Sequence, residues 1–303
     1  MKFSVLIVNY ASWPLTLRCI EALHGTGYED FETIVVDNDS EEPPELPSCV
    51  RLIRNRENVG FARAHNRGTA ASTGGLVVLI NPDTVVERNF FQSLEEFFGK
   101  HPKVGVAGPR ILDSDGELQL SARRDISAIS GFLGRTSLLT RLFPKSSLVK
   151  SQFPAVTGQS HPSPVDWVSG ACMVIRRETL RDVGPLDERF FMYFEDADLC
   201  RRARAAGWLV YYLPHVEIIH QTGASSRSKP RAIWTLHKSA FLYHRKHGAH
   251  GPLNAFSAVV LAGLTLRALA KLGTSLLRPL AKRSALFASS QHPSRSAFQR
   301  RES

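Results

Sequence analysis

The stretch Leu76-Val77-Val78-Leu79-Ile80-Asn81-Pro82-Asp83 decides the fold class. Five consecutive apolar residues are too few for a buried helix and too continuous for a strand with one wet face, so they read as a strand covered on both sides. The polar turn after them marks the strand's carboxyl end. Working outward, the same unit recurs: Phe3 to Val8 runs into Asn9-Tyr10, Phe31 to Val36 into Asp37-Asn38-Asp39, and Val50 to Arg54 into Asn55. Helical patterns near 14–24 and 61–72 separate these runs, and strands alternating with helices build a parallel sheet. In open α/β sheets ligands bind beyond the carboxyl ends of the strands. Here those ends are Asn9-Tyr10, Asp37 to Asp39, Asn55 to Gly60 and Asn81 to Asp83.

The polar ends suit hydroxyls, base edges and hard cations, which points to a nucleotide. Yet neither G-x-G-x-x-G nor G-x-x-x-x-G-K-[ST] occurs anywhere in the 303 residues, which excludes dinucleotide and P-loop chemistry. Phosphates bound without a glycine cradle need another source of positive charge, and a divalent metal on a carboxylate is the natural one. With 43% apolar and 22% charged residues the chain can bury a large core. Cys19, Cys49, Cys172 and Cys200 form no C-x-x-C pair, so a reducing compartment is expected and a zinc ribbon is not.

Periodicity blurs from about 110 to 165, which reads as a variable loop region over the site. Order returns where Asp166 to Ile175 gives a small-residue turn feeding a buried strand. Phe190-Phe191-Met192-Tyr193-Phe194 then leads into Glu195-Asp196-Ala197-Asp198 and a helix to about Ala206, closed by Gly207 as a left-handed cap. Trp208 to Leu213 and Val216 to His220 read as two further strands.

Three places carry chemistry. Asn81-Pro82-Asp83 presents Asp83 from a strand end stiffened by proline, where a hard cation would find an oxygen ligand; a plain Asx-Pro turn with Thr84 as a helix cap is the alternative. Glu195, Asp196 and Asp198 sit at a helix start, where capping and dipole compensation account for one or two acids. Five bulky apolar residues before them tend to raise a carboxylate pKa and suit one acid to proton abstraction. His220 closes an apolar strand ahead of a polar loop, and imidazole is a common ligand for Mn-like ions.

Taken together these residues resemble the family 2 glycosyltransferases of the GT-A fold, in their rhamnosyltransferase-like branch. The resemblance runs from about residue 3 to 247 through seven ordered blocks: Val5 to Tyr10, Val35 to Ser40, Asn58 to Gly68, Leu79 to Asp83, Val168 to Ala171, Phe194 to Asp198, and His220. It implies an α/β GT-A domain, Rossmann-like, with a mostly parallel central sheet flanked by helices. Asn9, Tyr10, Asp37, Asn38, Asn58, Gly60, Phe61, Asn66 and Asn81 would then hold the nucleotide, although Phe61 also reads as core. Asp83 and His220 would hold Mg2+ or Mn2+ on the diphosphate, Asp196 would be the general base of an inverting transfer, and Gly170, Glu195 and Trp167 would face the donor or acceptor sugar. The usual Asp-x-Asp is Asn81-Pro82-Asp83 here, which removes one negative charge beside the cation. The implied donor is a nucleotide sugar, dTDP-L-rhamnose by family likeness, and the acceptor a cell-surface or lipid-linked glycan. A catalytically silent nucleotide-sugar or polyanion binder is the competing class, and the joint presence of Asp83, Asp196 and His220 argues against it.

Residues 1–226 hold 24 Lys+Arg against 27 Asp+Glu, whereas 227–303 hold 14 against 1. The sequence thus divides into a catalytic domain over 1–247, a basic amphipathic helical extension over 248–283 and a disordered tail over 284–303. At 100° per residue, Arg267, Lys271, Arg278 and Lys282 form a stripe opposite Leu269, Leu272, Leu276 and Leu280. Such a segment is expected to lie on an anionic membrane surface, placing the protein in the cytoplasm and peripherally on the inner face of the cytoplasmic membrane. The cations lack interleaved aromatics, so nucleic acid is not the expected partner.

Overall fold

The computed structural model describes residues 3–40, 42–123, 160–221, 229–248 and 257–272. Four parallel strands occupy one side of a ten-stranded sheet: β1 (Phe3–Asn9), β2 (Phe31–Asn38), β3 (Val50–Asn55) and β4 (Leu76–Ile80), in the order β3-β2-β1-β4. Every residue of β1 and β4 is buried, as their unbroken apolar runs require. β3 departs from its expected burial on both faces: it is the sheet edge and half-exposed. Register sets Asn9 beside Asp37 and Asp37 beside Arg54, so the polar strand ends line up in one row.

Helix α1 (Trp13–His24) has proline in its first turn and buries Trp13, Thr16, Cys19, Ile20 and Leu23, the spacing of one helical face. Helix α2 (Phe61–Ala70) lies on β1 and β2 through small residues. A side chain at Gly68 would meet Val36 and Leu6 at 3.2–3.3 Å, so the close helix-to-sheet approach leaves little room for more than glycine unless those methyls shift. Helix α3 (Phe90–Lys100), which the sequence reading did not find, buries five residues. Among them Phe91 stacks with Phe31 (4.6 Å) and Tyr28 (5.1 Å) and tilts against Phe3 (5.2 Å). Aromatic pairs of this kind contribute about 1 kcal/mol each beyond their area.

Past β4 the sheet is mixed. β5 (Thr84–Val86), β6 (Val104–Leu112), β7 (Leu118–Gln119), β8 (Ala122–Arg123), β9 (Ser163–Pro164) and β10 (Trp167–Val168) precede β11 (Cys172–Arg176), which runs antiparallel to both β4 and β6. The loop reading of 110–165 is therefore corrected at both ends. β6, β7 and β9 belong to the main sheet, and β8 pairs with β10 in a second; residues 124–159 lie outside the described residues. The two strands expected at Trp208 to Leu213 and Val216 to His220 are one, β12 (Leu209–His220), irregular in its pairing with β6 between Leu213 and Glu217.

Helices α4 (Arg177–Val183), α5 (Glu195–Ala205) and α6 (Lys229–His247) complete the domain, with Gly207 in the left-handed region (φ 88°) just beyond α5. Residues 257–272 form a further helix, α7. The expected extension is described only over that stretch, and the expected disordered tail at 284–303 is outside the described residues.

Candidate active site

The antiparallel pairing of β5 with β12 places Thr84 opposite His220. That register carries Asp83, one residue earlier and 3% exposed, to the histidine, with Asp83 Oδ1 3.2 Å from His220 Nε2. Asn81 Nδ2 donates to the same Nε2 at 3.2 Å. On the other side of the ring stands Gln119, which sequence reasoning missed because it lies in the blurred region. Its Nε2 donates to the His220 carbonyl (2.7 Å), which turns its Oε1 toward His220 Nδ1 (3.0 Å). An acceptor facing Nδ1 puts the ring proton there and leaves Nε2 as the lone-pair nitrogen.

A carboxylate oxygen and an imidazole lone pair thus face one side of the turn about 3 Å apart, the separation of adjacent ligands around an octahedral divalent ion. Among the described residues no third His, Cys, Asp or Glu joins them. Two protein ligands leave positions for phosphate oxygens, and the mixed O/N set suits Mn2+ or Mg2+. Asn81, where the resemblance would have an aspartate, supplies a donor to His220 in place of a second charge.

The backbone links this corner to Asp196. Asn81 N–H donates to the Ala171 carbonyl (2.9 Å), and the adjacent Gly170 N–H donates to Asp196 Oδ2 (2.9 Å). Asp196 Oδ1 accepts from the N–H of Ala197 (2.7 Å). Burial pushes the Asp196 carboxyl up, against the pull of those two N–H groups, the Trp167 indole and the Arg123 charge. The indole faces the carboxylate without a hydrogen bond of standard geometry, and Arg123 stacks over it at 5.2 Å. Arg123, also in the blurred region, escaped the sequence reading.

The two residues before α5, Tyr193 and Phe194, both sit in the left-handed region (φ 71° and 69°), a strained conformation for bulky side chains. This reversal delivers Glu195 and Asp196 at the helix start. Glu195 is 4% exposed, and its Oε2 has no hydrogen-bond partner among the described residues. Burial and the Asp196 charge hold its carboxyl well above the ordinary range. Asp198 has a different part: fully buried, it meets Arg202 of its own helix (2.8 Å) and Lys246 (2.6 Å) and His247 (2.7 Å) of α6, which fasten α6 to α5; against burial, these three hold its carboxyl low.

Phe61 flanks Gly170 and Asp196; a β-carbon at Gly170 would lie 3.6 Å from its ring and 3.5 Å from Asp196. That is ordinary contact, so the protein's own packing does not demand glycine at 170, and its N–H serves as a backbone donor to Asp196. Gly60 is demanded. It has φ 87°, a β-carbon there would sit 2.5 Å from the Phe191 carbonyl oxygen, and Phe61 N–H bonds that same oxygen (2.7 Å). Gly60→Ala is expected to lower unfolding free energy by more than about 2 kcal/mol, read by urea denaturation.

The other expected nucleotide residues divide. Tyr10 and Phe61 are partly exposed. Asn38 donates to Asn58 (3.3 Å) and to the Gly60 carbonyl (3.1 Å), tying the end of β2 to the start of α2. Asn9 and Asp37 are fully buried. Asn9 donates to Asp37 (2.8 Å) and Ser40 (3.0 Å) and accepts from Ser12 and Thr16, so it braces the strand ends and offers no surface. Asn66 bonds the Leu186 backbone and Glu188, clamping α2 to the segment before Phe190.

A family model described as "Glycosyltransferase like family 2" matches residues 2–239. N-acetylglucosaminyl-diphospho-decaprenol L-rhamnosyltransferase of Mycobacterium tuberculosis is 30% identical over 257 residues, 79% of this chain and 82% of that one. Among solved structures, GalNAc-T7 with UDP, GalNAc and Mn2+ superposes with a TM-score of 0.58 at 16% identity, covering 80% of this chain and 48% of that one. The mannosyltransferase PcManGT of Pyrobaculum calidifontis, in complex with GDP-Man and Mn2+, gives 0.54 at 16% identity, over 94% and 80% of the two chains. The two structures speak for the fold alone. With the strand-end row, the Asp83–His220 corner joined by backbone bonds to Asp196, and a family model spanning most of its length, the chain belongs to glycosyltransferase-like family 2 and is a nucleotide-sugar-dependent glycosyltransferase of the GT-A fold.

Proposed function

We propose that this enzyme transfers L-rhamnose from dTDP-L-rhamnose to a lipid-linked or cell-surface glycan, with inversion at the anomeric carbon. The observation that carries the reaction is the unbroken run of contacts from His220 and Asp83 through Asn81, Ala171 and Gly170 to Asp196. It supports a reading with the diphosphate at one end of that run and the base at the other. The Mycobacterium tuberculosis relative, named as an L-rhamnosyltransferase acting on N-acetylglucosaminyl-diphospho-decaprenol, supports the sugar and a lipid-linked acceptor.

Mg2+ or Mn2+ held by Asp83 and His220 would supply Lewis-acid charge to the departing diphosphate. Asp196 takes the proton of the acceptor hydroxyl as that oxygen bonds the anomeric carbon and the bond to the diphosphate oxygen breaks. Its two N–H partners fix the carboxylate plane and leave lone pairs for that proton. Trp167 and Glu195 flank the acceptor, Glu195 with a carboxyl that burial and the Asp196 charge bias toward its protonated form. Tyr10, Asn38, Asn58 and Gly60 frame the nucleotide, while Asn9 and Asp37 hold their strand ends in place. A thermal-shift panel of nucleotide sugars with Mn2+ tests the donor: dTDP-L-rhamnose is expected to raise the midpoint most, and a larger rise with UDP- or GDP-sugars would reassign it.

Gln119 holds the His220 ring proton on Nδ1 and so the lone pair on Nε2, where Asn81 Nδ2 donates and where a metal would take its place. Gln119→Leu is expected to weaken Mn2+ affinity 10- to 100-fold by calorimetry in the presence of dTDP, with the fold retained by circular dichroism.

A further inference from the structure

Helix α7 turns the wrong way for an electrostatic membrane anchor. Relative to Leu266, residues Ala258, Val259, Ala262, Leu269 and Ala270 fall within an arc of about 120° at 100° per residue, and each of them is exposed. Leu266, Val259 and Leu269 are 69%, 67% and 56% exposed. The opposite side holds Ser257, Leu264, Arg267, Ala268 and Lys271, all buried or half-buried, with Leu261 at its margin 46% exposed. Ser257 lies 3.4 Å from His244 of α6, and the charges of Arg267 and Lys271 reach His237 on the same helix. The two described cations of the expected basic stripe therefore face the body of the protein, and the apolar stripe faces out.

We propose that this outward stripe of α7, centred on Val259, Leu266 and Leu269, docks on a phospholipid bilayer by inserting into the headgroup–acyl boundary. A contiguous apolar stripe on an otherwise polar domain marks an interaction surface. Charge disfavours a second copy of this chain as the occupant: residues 227–303 carry 14 cations against one acid, so two such segments repel each other, while an anionic leaflet draws the segment in and the apolar stripe holds it. Among the described residues no helix is long and apolar enough to cross a membrane, which agrees with an in-plane seat. The use of this surface rests on the lipid-linked acceptor proposed above, but lipid binding needs neither donor nor acceptor.

The test is flotation of the full-length protein with vesicles of phosphatidylglycerol and phosphatidylethanolamine, at low salt and at 0.5 M salt on the order of a 4 Å Debye length. Wild type is expected to float in both, losing at most about threefold at high salt. Leu266→Gln/Leu269→Gln is expected to lose at least tenfold at both, with its thermal midpoint unchanged, since the two side chains contact solvent. Donor binding by the variant is expected to equal wild type, which separates failure of this surface from failure of the glycosyltransferase reading. Flotation by the variant equal to wild type, or wild-type binding abolished by salt, would overturn the proposal. So would wild type that ignores vesicles and self-associates through these leucines in sedimentation.

Discussion

Asp196→Asn is expected to lower the transfer rate by two to four orders of magnitude, about 3 to 5 kcal/mol of barrier, while dTDP-sugar affinity stays within a few-fold. Stability separates a catalytic from a structural role. Burial raises the carboxyl in the folded state, so its stabilising contribution is full below the unfolded-state value and is lost as pH rises through the folded-state value. At neutral pH the ionised group is therefore a cost to the fold, and asparagine removes that charge. Against this gain, an amide has one oxygen where the carboxylate has two, so either the Gly170 or the Ala197 N–H loses its acceptor. The two effects offset, and unfolding by urea is expected to change by less than about 1 kcal/mol. The same upward shift sets the pH profile of the wild type: the acidic limb of the rate is expected to lie above the ordinary aspartate range and to vanish in the variant. Activity within a few-fold of wild type would remove Asp196 from the reaction.

Asp83→Ala is expected to abolish the metal dependence of donor binding and to reduce transfer at least 100-fold. Calorimetry of dTDP with and without Mn2+ reads this directly. In the wild type Mn2+ is expected to tighten dTDP binding, and in the variant the two titrations are expected to coincide. Equal Mn2+ stimulation in both proteins would move the metal away from this corner. His220→Ala is a weaker test, since removing the ring also leaves Gln119 and Asn81 without their partner.

The half of the sheet that carries β1 to β4 was legible because strands covered on both faces announce themselves as apolar runs, and their carboxyl ends are where the polar residues fall. Asp83, Asp196 and His220 were legible for the same reason: each follows an apolar segment abruptly. What stayed hidden depends on tertiary pairing. Gln119 and Arg123 sit on strands of two residues, too short to produce an alternating pattern, and act only because β7 and β8 pair as they do. The asparagines looked alike in sequence, yet Asn9, at a strand end, is engaged by internal bonds and Asn66, within α2, by a remote loop. No local signal distinguishes an amide that faces a ligand from one that braces a turn. α7 misled in a related way: helical spacing gave the two faces, but which of them meets the protein is set by α6.

The central claim is that the Asp83–His220 corner holds a diphosphate leaving group and that Asp196, linked to it through Asn81, Ala171 and Gly170, is the base for a single in-line displacement. Its most direct test is the anomeric configuration of the product, read by NMR after incubation of the enzyme with dTDP-L-rhamnose, Mn2+ and an N-acetylglucosaminyl-diphospho-lipid acceptor. A product inverted relative to the donor, with one dTDP released per sugar moved, is the expected result; a retained configuration would contradict Asp196 as the base of a one-step transfer.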